Sequence, residues 1–241
     1  MSQYRQPGRI DIGLGGPITP AVKGLIIANA SVYALQIITQ RFGGGGIESL
    51  FALTPTLLWE KKWLWQIVTY MFLHAPGWPF HLILNMLMLW MFGTEVERAW
   101  GSRRFLKYYF VCGLGAGIAT CATFWKSTTY GASGAVFGVM LAFATLFPER
   151  MIYFWFIFPM RAMSFVLLCA AIELLQLLNL PDGVAHTAHL GGMLAGWLYM
   201  KRAWKVPDFV SELRWRWRRR RLRVIERDDR NDRDRRNYPY H

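Results

Sequence analysis

Six apolar runs, each bounded by charge, Pro or Gly, punctuate this chain at roughly residues 22–40, 80–96, 105–125, 132–147, 162–180 and 186–200. A helix rises about 1.5 Å per residue, and about 20 mostly apolar residues cross a hydrocarbon core of about 30 Å. Each run is predicted to be a membrane helix. Lipid cannot satisfy the edge of an open sheet, so the expected fold is an all-α membrane protein, a six-transmembrane-helix bundle. A seventh apolar stretch, Met151–Met160, is too short to span and contains Pro159, so it is expected to lie at the interface.

The pattern also divides the chain. Residues 1–20 form a polar, Gly/Pro-rich segment, 21–203 the helical core, and 204–241 a basic tail with few apolar residues, expected to lack stable structure. The first apolar run lacks the short core and small-residue cleavage site of a secretory signal, so it is expected to remain as an anchor.

Composition strengthens this reading: hydrophobic residues make up 54% of the chain, too many for an ordinary soluble domain. The net charge of +13 is uneven, with 15 Lys/Arg against 7 Asp/Glu in residues 201–241. With the N-terminus in the cytoplasm, Arg98, Arg103, Arg104, Lys107, Arg150, Arg161 and the tail all fall inside, leaving only Arg41, Lys61, Lys62 and Lys126 outside. Both termini are therefore expected to be cytoplasmic. The run Arg214–Arg223 interleaves bases with Trp; directly after a membrane helix it suits anionic lipid headgroups, and no nucleic acid partner is expected. Trp59, Trp63, Trp65 and Trp78 fit an outer aromatic belt. Cys112, Cys121 and Cys169 fall inside predicted helices without ligand-like spacing and read as small core residues.

Three motifs at helix starts carry candidate chemistry: His81-x-x-x-Asn85, Gly131-Ala-Ser133-Gly134 and Ala188-His189-x-x-Gly192-x-x-x-Gly196. Counted up from the inner helix ends, Ser133, His81, Asn85 and His189 lie about 24, 25, 20 and 18 Å high, in one layer below the outer surface. Polar side chains at membrane depth face a bundle interior or a wet cavity, so their convergence suggests a site. The fourth run, bounded by Gly131 and Pro148, is short, which leaves room for water above Ser133. Glycines on the fourth and sixth helices would let the two backbones approach and bring Ser133 to His189. Ser133 is then the candidate nucleophile and His189 its general base. His81 and Asn85, one turn apart, are candidate oxyanion donors, with the Ser133 backbone N–H a third. No carboxylate lies near His189 on its own helix, and Asp182 sits in a loop, so a Ser–His dyad is expected rather than a triad.

Other residues carry plainer readings. His186 precedes His189 by one turn but has no third ligand in register, so no metal or other cofactor is expected. Glu173, the one acid deep in a predicted span, has Gln176 as a possible hydrogen-bonding partner. His74 has no assigned role.

At these motifs, together with Glu95-Val-Glu97-Arg98-Ala-Trp-Gly101-Ser102, the sequence resembles the rhomboid family of intramembrane serine proteases over about residues 20–203. The resemblance implies metal-free cleavage of single-pass transmembrane proteins within or beside their membrane segment, by a protein active as a monomer in the bacterial inner (cell) membrane. It also implies an embedded loop over Trp59–Phe80 and a fifth helix that serves as a lateral gate. Two departures stand out. Trp65-Gln66 stands where some members carry a Trp-Arg pair, removing an Arg-mediated contact, and Phe137 stands where some carry a Tyr, keeping a ring to stack on His189 without its hydroxyl. The alternative in the same fold is a catalytically inactive, client-binding rhomboid-like protein, against which the presence of both Ser133 and His189 speaks. A transporter would call for an inverted repeat of broken helices, an aspartyl protease for two membrane aspartates, and a hydrolase elbow for Gly in place of Ala135.

Overall fold

The computed structural model describes residues 16–43, 46–154, 158–179 and 184–205. The polar segment before residue 16, Asp182 and the tail from 206 onward lie outside the described residues.

The chain begins with α1 (Pro20–Phe42), whose proline sits in the first turn, where a missing N–H is tolerated. Three short helices follow, α2 (Glu48–Phe51), α3 (Pro55–Glu60) and α4 (Gln66–Thr69), with a 3-10 turn at Tyr70–Phe72. The second long segment is composite: α5 (Phe80–Met88) passes through a π turn at Leu89–Gly93 into α6 (Thr94–Trp100). It ends at Gly101, whose φ of 79° lies in the left-handed region open to glycine, and the chain turns directly into α7 (Ser102–Thr123). Then come α8 (Ser133–Leu146), β1 (Met151–Phe154), β2 (Phe158–Arg161), α9 (Ala162–Asn179) and α10 (Val184–Lys205).

The protein is mostly helical but not all-α. The stretch read as an interfacial run forms an antiparallel pair, with Met151 opposite Arg161 and Phe154 opposite Phe158. Aromatic and β-branched residues favour the extended chain, and Pro159 has no place inside a helix. By length and composition, α1 and α7 are long and apolar enough to cross a membrane; α8 is a shorter apolar helix of 14 residues.

The core is built where α7 meets α8 and the second segment, from Leu89, Phe92, Val96, Phe105, Tyr109 and Val139. Glycines set how closely the helices approach. A Cβ on Gly192 of α10 would collide with the Gly134 carbonyl of α8, and one on Gly138 with Cys112 of α7. Cys112 is thus a buried core residue, and all three cysteines are free thiols.

The Glu95–Ser102 motif is a junction. Glu97, almost fully buried, accepts hydrogen bonds from the backbone N–H groups of Ala21 and Val22, both at 2.9 Å, capping the start of α1. It also accepts from Thr19 Oγ1 at 2.5 Å and from Ser102 Oγ at 2.6 Å. Burial alone would raise this carboxyl; the hydrogen bonds outweigh it and hold Glu97 below its ordinary value. Beside it, Glu95 pairs with Arg98 at 2.5 Å and with Arg150, beyond α8, at 2.7 Å. Glu97→Ala leaves two helix-start donors and two hydroxyls without their acceptor. It is expected to cost on the order of 3 kcal/mol or more, read as a lowered melting temperature in detergent. A melting point unchanged from wild type would refute the junction's role.

Candidate active site

Ser133 opens α8, and the approach to it is held by the short helices upstream. Leu53 and Thr129 exchange backbone hydrogen bonds at 2.9 Å, and the Gly131 N–H donates to the Tyr70 carbonyl at 2.9 Å. Tyr70 is anchored in turn by its hydroxyl, which donates to the Gly113 carbonyl on α7 at 2.6 Å. Gly131 has a φ of 134°, and a Cβ there would stand 3.2 Å from His81 Nε2 and 3.6 Å from Ser133 Oγ. The missing side chain keeps the space before the serine open, and the backbone angle is one an L side chain rarely adopts.

His189 comes from α10. Its Nε2 lies 2.7 Å from Ser133 Oγ, and its ring stacks on Phe137, one turn along α8, with centroids 4.3 Å apart and planes 9° off parallel. The phenyl ring restricts rotation of the imidazole, leaving Nε2 aimed at the serine.

His81 faces the same space. Its Nδ1 accepts the Ala75 N–H at 3.3 Å, which places the ring proton on Nε2, the nitrogen nearest Gly131. Asn85 is buried, and its amide donates one hydrogen bond to the His81 carbonyl at 2.7 Å; the second amide hydrogen remains to be given. The structure thus gathers Ser133, His189 and His81 at the start of α8, with Asn85 one turn along α5 from His81.

Sequence reasoning missed one contributor, Gln36, and the partners of two residues it had named, Gln66 and Glu173. Gln36 of α1, fully buried, clamps the backbone of His74: its Oε1 accepts the His74 N–H and its Nε2 donates to the His74 carbonyl, both at 2.9 Å. Gln66 makes a loop contact of its own, accepting from the Thr54 N–H at 3.1 Å and donating to the Leu50 carbonyl at 3.3 Å. A buried amide in a predicted apolar run was the available signal for Gln36.

The third is Glu173. No carboxylate lies near His189 on its own helix, as the sequence indicated, but one arrives from another: Glu173 Oε2 on α9 lies 2.9 Å from His189 Nδ1 and 2.6 Å from His186 Nδ1, against the expectation of a histidine with no acid beside it. Spacing along one helix cannot show an acid contributed by another. Glu173, His186 and His189 bring three donor atoms within 4.8 Å of one another, which also supplies the third group that sequence reasoning found lacking for a metal. The shared oxygen stands at hydrogen-bond distance from both nitrogens, closer than the roughly 3.3 Å between two ligands about 2 Å from one tetrahedral zinc. As it stands, the cluster is a hydrogen-bonded one.

His74 is fully buried and meets the His81 ring edge-on, with centroids 5.1 Å apart. Burial, reinforced by His81, pushes His74 down to about 4. An unfolded chain binds this proton more readily, so the stability His74 contributes is full above pH 6.5 and declines as pH falls toward 4. Melting temperatures across that window are expected to fall less in His74→Phe than in wild type. Parallel curves would contradict this.

Residues 61–205, more than half of the chain, match the family described as Rhomboid domain. The chain belongs to the rhomboid family, which is membrane-embedded and includes proteases. It is 29% identical over 150 residues to RHOMBOID-like protein 6, mitochondrial, of Arabidopsis thaliana, covering 62% of this chain and 47% of the relative. It is 30% identical over 152 residues to RHOMBOID-like protein 5 of the same plant, covering 62% and 47%. It is 32% identical over 148 residues to rhomboid protease GluP of Bacillus subtilis (strain 168), covering 58% and 26%. The matched region thus spans less than half the length of each of these curated relatives.

Proposed function

We propose that this protein is an intramembrane serine endopeptidase that cleaves single-pass transmembrane proteins within or beside their membrane segment. The observation that carries the reading is the 2.7 Å contact between Ser133 Oγ and His189 Nε2. In this reading His189 takes the serine proton as Oγ attacks the scissile carbonyl, then returns it to the leaving amine. The oxyanion forms over Gly131, where His81 Nε2–H, the second Asn85 amide hydrogen and the Ser133 backbone N–H are the donors.

The same proposal makes the six apolar segments membrane helices, with both termini cytoplasmic, in the bacterial inner membrane. Support comes from the basic inner ends and from the large apolar side chains exposed along the helices, among them Ile27, Ile118, Leu167, Leu175 and Leu194, each more than half exposed. The enzyme acts as a monomer, with its basic tail against anionic headgroups. Incubation of the purified protein with a model transmembrane substrate, beside Ser133→Ala, tests the activity. Identical cleavage by both, or none by a folded wild type, would count against it.

A further inference from the structure

We infer that the Glu173 carboxylate is the positioning residue of the catalytic histidine, brought to His189 from α9 and held there by His186. The inference rests on the reading of Ser133 and His189 as nucleophile and base and adds to it a third group.

The geometry has two parts. Glu173 Oε2 accepts a hydrogen bond from His186 Nδ1 at 2.6 Å, and the same oxygen stands 2.9 Å from His189 Nδ1, off the line of a straight N–H···O bond. The three side chains are largely buried, with 12 to 15% of each exposed. An imidazole nitrogen carrying a lone pair would be repelled by a carboxylate oxygen at that distance, even an imperfectly aligned one. The proton therefore resides on His189 Nδ1, which leaves Nε2 bare toward Ser133 Oγ at 2.7 Å. Only this tautomer lets the serine hydroxyl donate; the other points an N–H at Oγ and cannot accept its proton. The negative charge also faces the imidazolium that forms as the serine attacks.

His186 has a distinct part. It lies one turn before His189 on α10, and its bond to the shared oxygen holds the carboxylate in place. Glu173 also links two helices: α9 is buried near its start, at Ala162, Phe165 and Val166, whereas Leu174 and Leu175 are half exposed or more. The contacts to His186 and His189 thus fasten the later part of α9 to the helix that carries the base.

The test uses full-length protein in detergent and three readouts: steady-state cleavage of the model substrate, the rate at which a fluorophosphonate probe labels Ser133, and a melting curve. Glu173→Ala is expected to lower turnover about 10- to 100-fold with KM little changed, and to slow labelling in parallel. His186→Ala is expected to show a smaller loss in both. The probe needs no docked peptide, so slowed labelling in a folded variant separates positioning from substrate binding. Turnover and labelling within roughly threefold of wild type would overturn the inference, as would a raised KM with unchanged labelling. Should Glu173→Ala fail to fold, 15N NMR of histidine-labelled wild type decides: Nδ1–H on His189 supports the inference, and Nε2–H overturns it. That measurement also keeps the two readings apart. A wild type that cleaves no better than Ser133→Ala removes the protease assignment, while the tautomer still reports what Glu173 does.

Discussion

Ser133→Ala and His189→Ala are each expected to bring cleavage of a model transmembrane substrate down by at least about 10⁴-fold, with helicity and melting temperature close to wild type. A serine hydroxyl attacks a carbonyl only if its proton leaves as the bond forms, and in the proposed mechanism His189 Nε2, 2.7 Å from Oγ, takes it. Neither group works without the other, so the double variant is expected to be no slower than either single one. Folding should tolerate both changes. Ser133 begins its helix without a side-chain capping bond, and removing the imidazole deletes one ring from the stack with Phe137 and one of two contacts to Glu173, while the His186–Glu173 bond and the Gly134–Gly192 contact persist. The measurement is substrate turnover by the purified variants, with circular dichroism on the same samples. Near wild-type cleavage by either folded variant would remove the dyad, and losses that multiplied in the double variant would show that the two residues act separately.

His81→Ala and Asn85→Ala are expected to reduce turnover by about 10- to 1000-fold with little change in KM, because an oxyanion exists only after attack. The geometry ranks the two. His81 carries its free N–H on Nε2, beside Gly131 and Ser133, whereas Asn85 already gives one amide hydrogen to the His81 carbonyl. The larger loss is therefore expected at His81. Asn85→Ala combines a lost donor with a freed His81 backbone, so it should also lower the melting temperature slightly. Steady-state kinetics and a melting curve on one preparation of each variant provide the check. Early melting with normal turnover at low temperature would make both residues supports of the fold, leaving the Ser133 backbone N–H as the donor.

Much of this was legible in the chain itself. Apolar runs bounded by charge, Pro and Gly marked the helices: the run at 22–40 corresponds to Pro20–Phe42, 105–125 to Ser102–Thr123 and 132–147 to Ser133–Leu146. Counting residues along each run put Ser133, His189, His81 and Asn85 at similar levels on their helices, because rise along a helix is set locally by backbone hydrogen bonds. Gly134 and Gly192 could be named as a close contact because a missing side chain is visible in sequence. Direction around the bundle was not legible. Which face of α9 turns toward α10, and hence that Glu173 meets His189 rather than Gln176, depends on how two helices pack and not on the spacing within either. The same holds for Glu97, which caps a helix start more than seventy residues away, and for Gln36, which clamps the backbone of His74. The pairing of Met151–Phe154 with Phe158–Arg161 was hidden differently: periodicity in a short apolar stretch does not separate strand from helix, and cross-strand pairing decided it. Residue type and level along each helix were thus written in the sequence, while the partners of each buried polar group, Glu173 beside His189 among them, were decided only by tertiary packing, since polar groups taken out of water must find partners wherever the fold brings them.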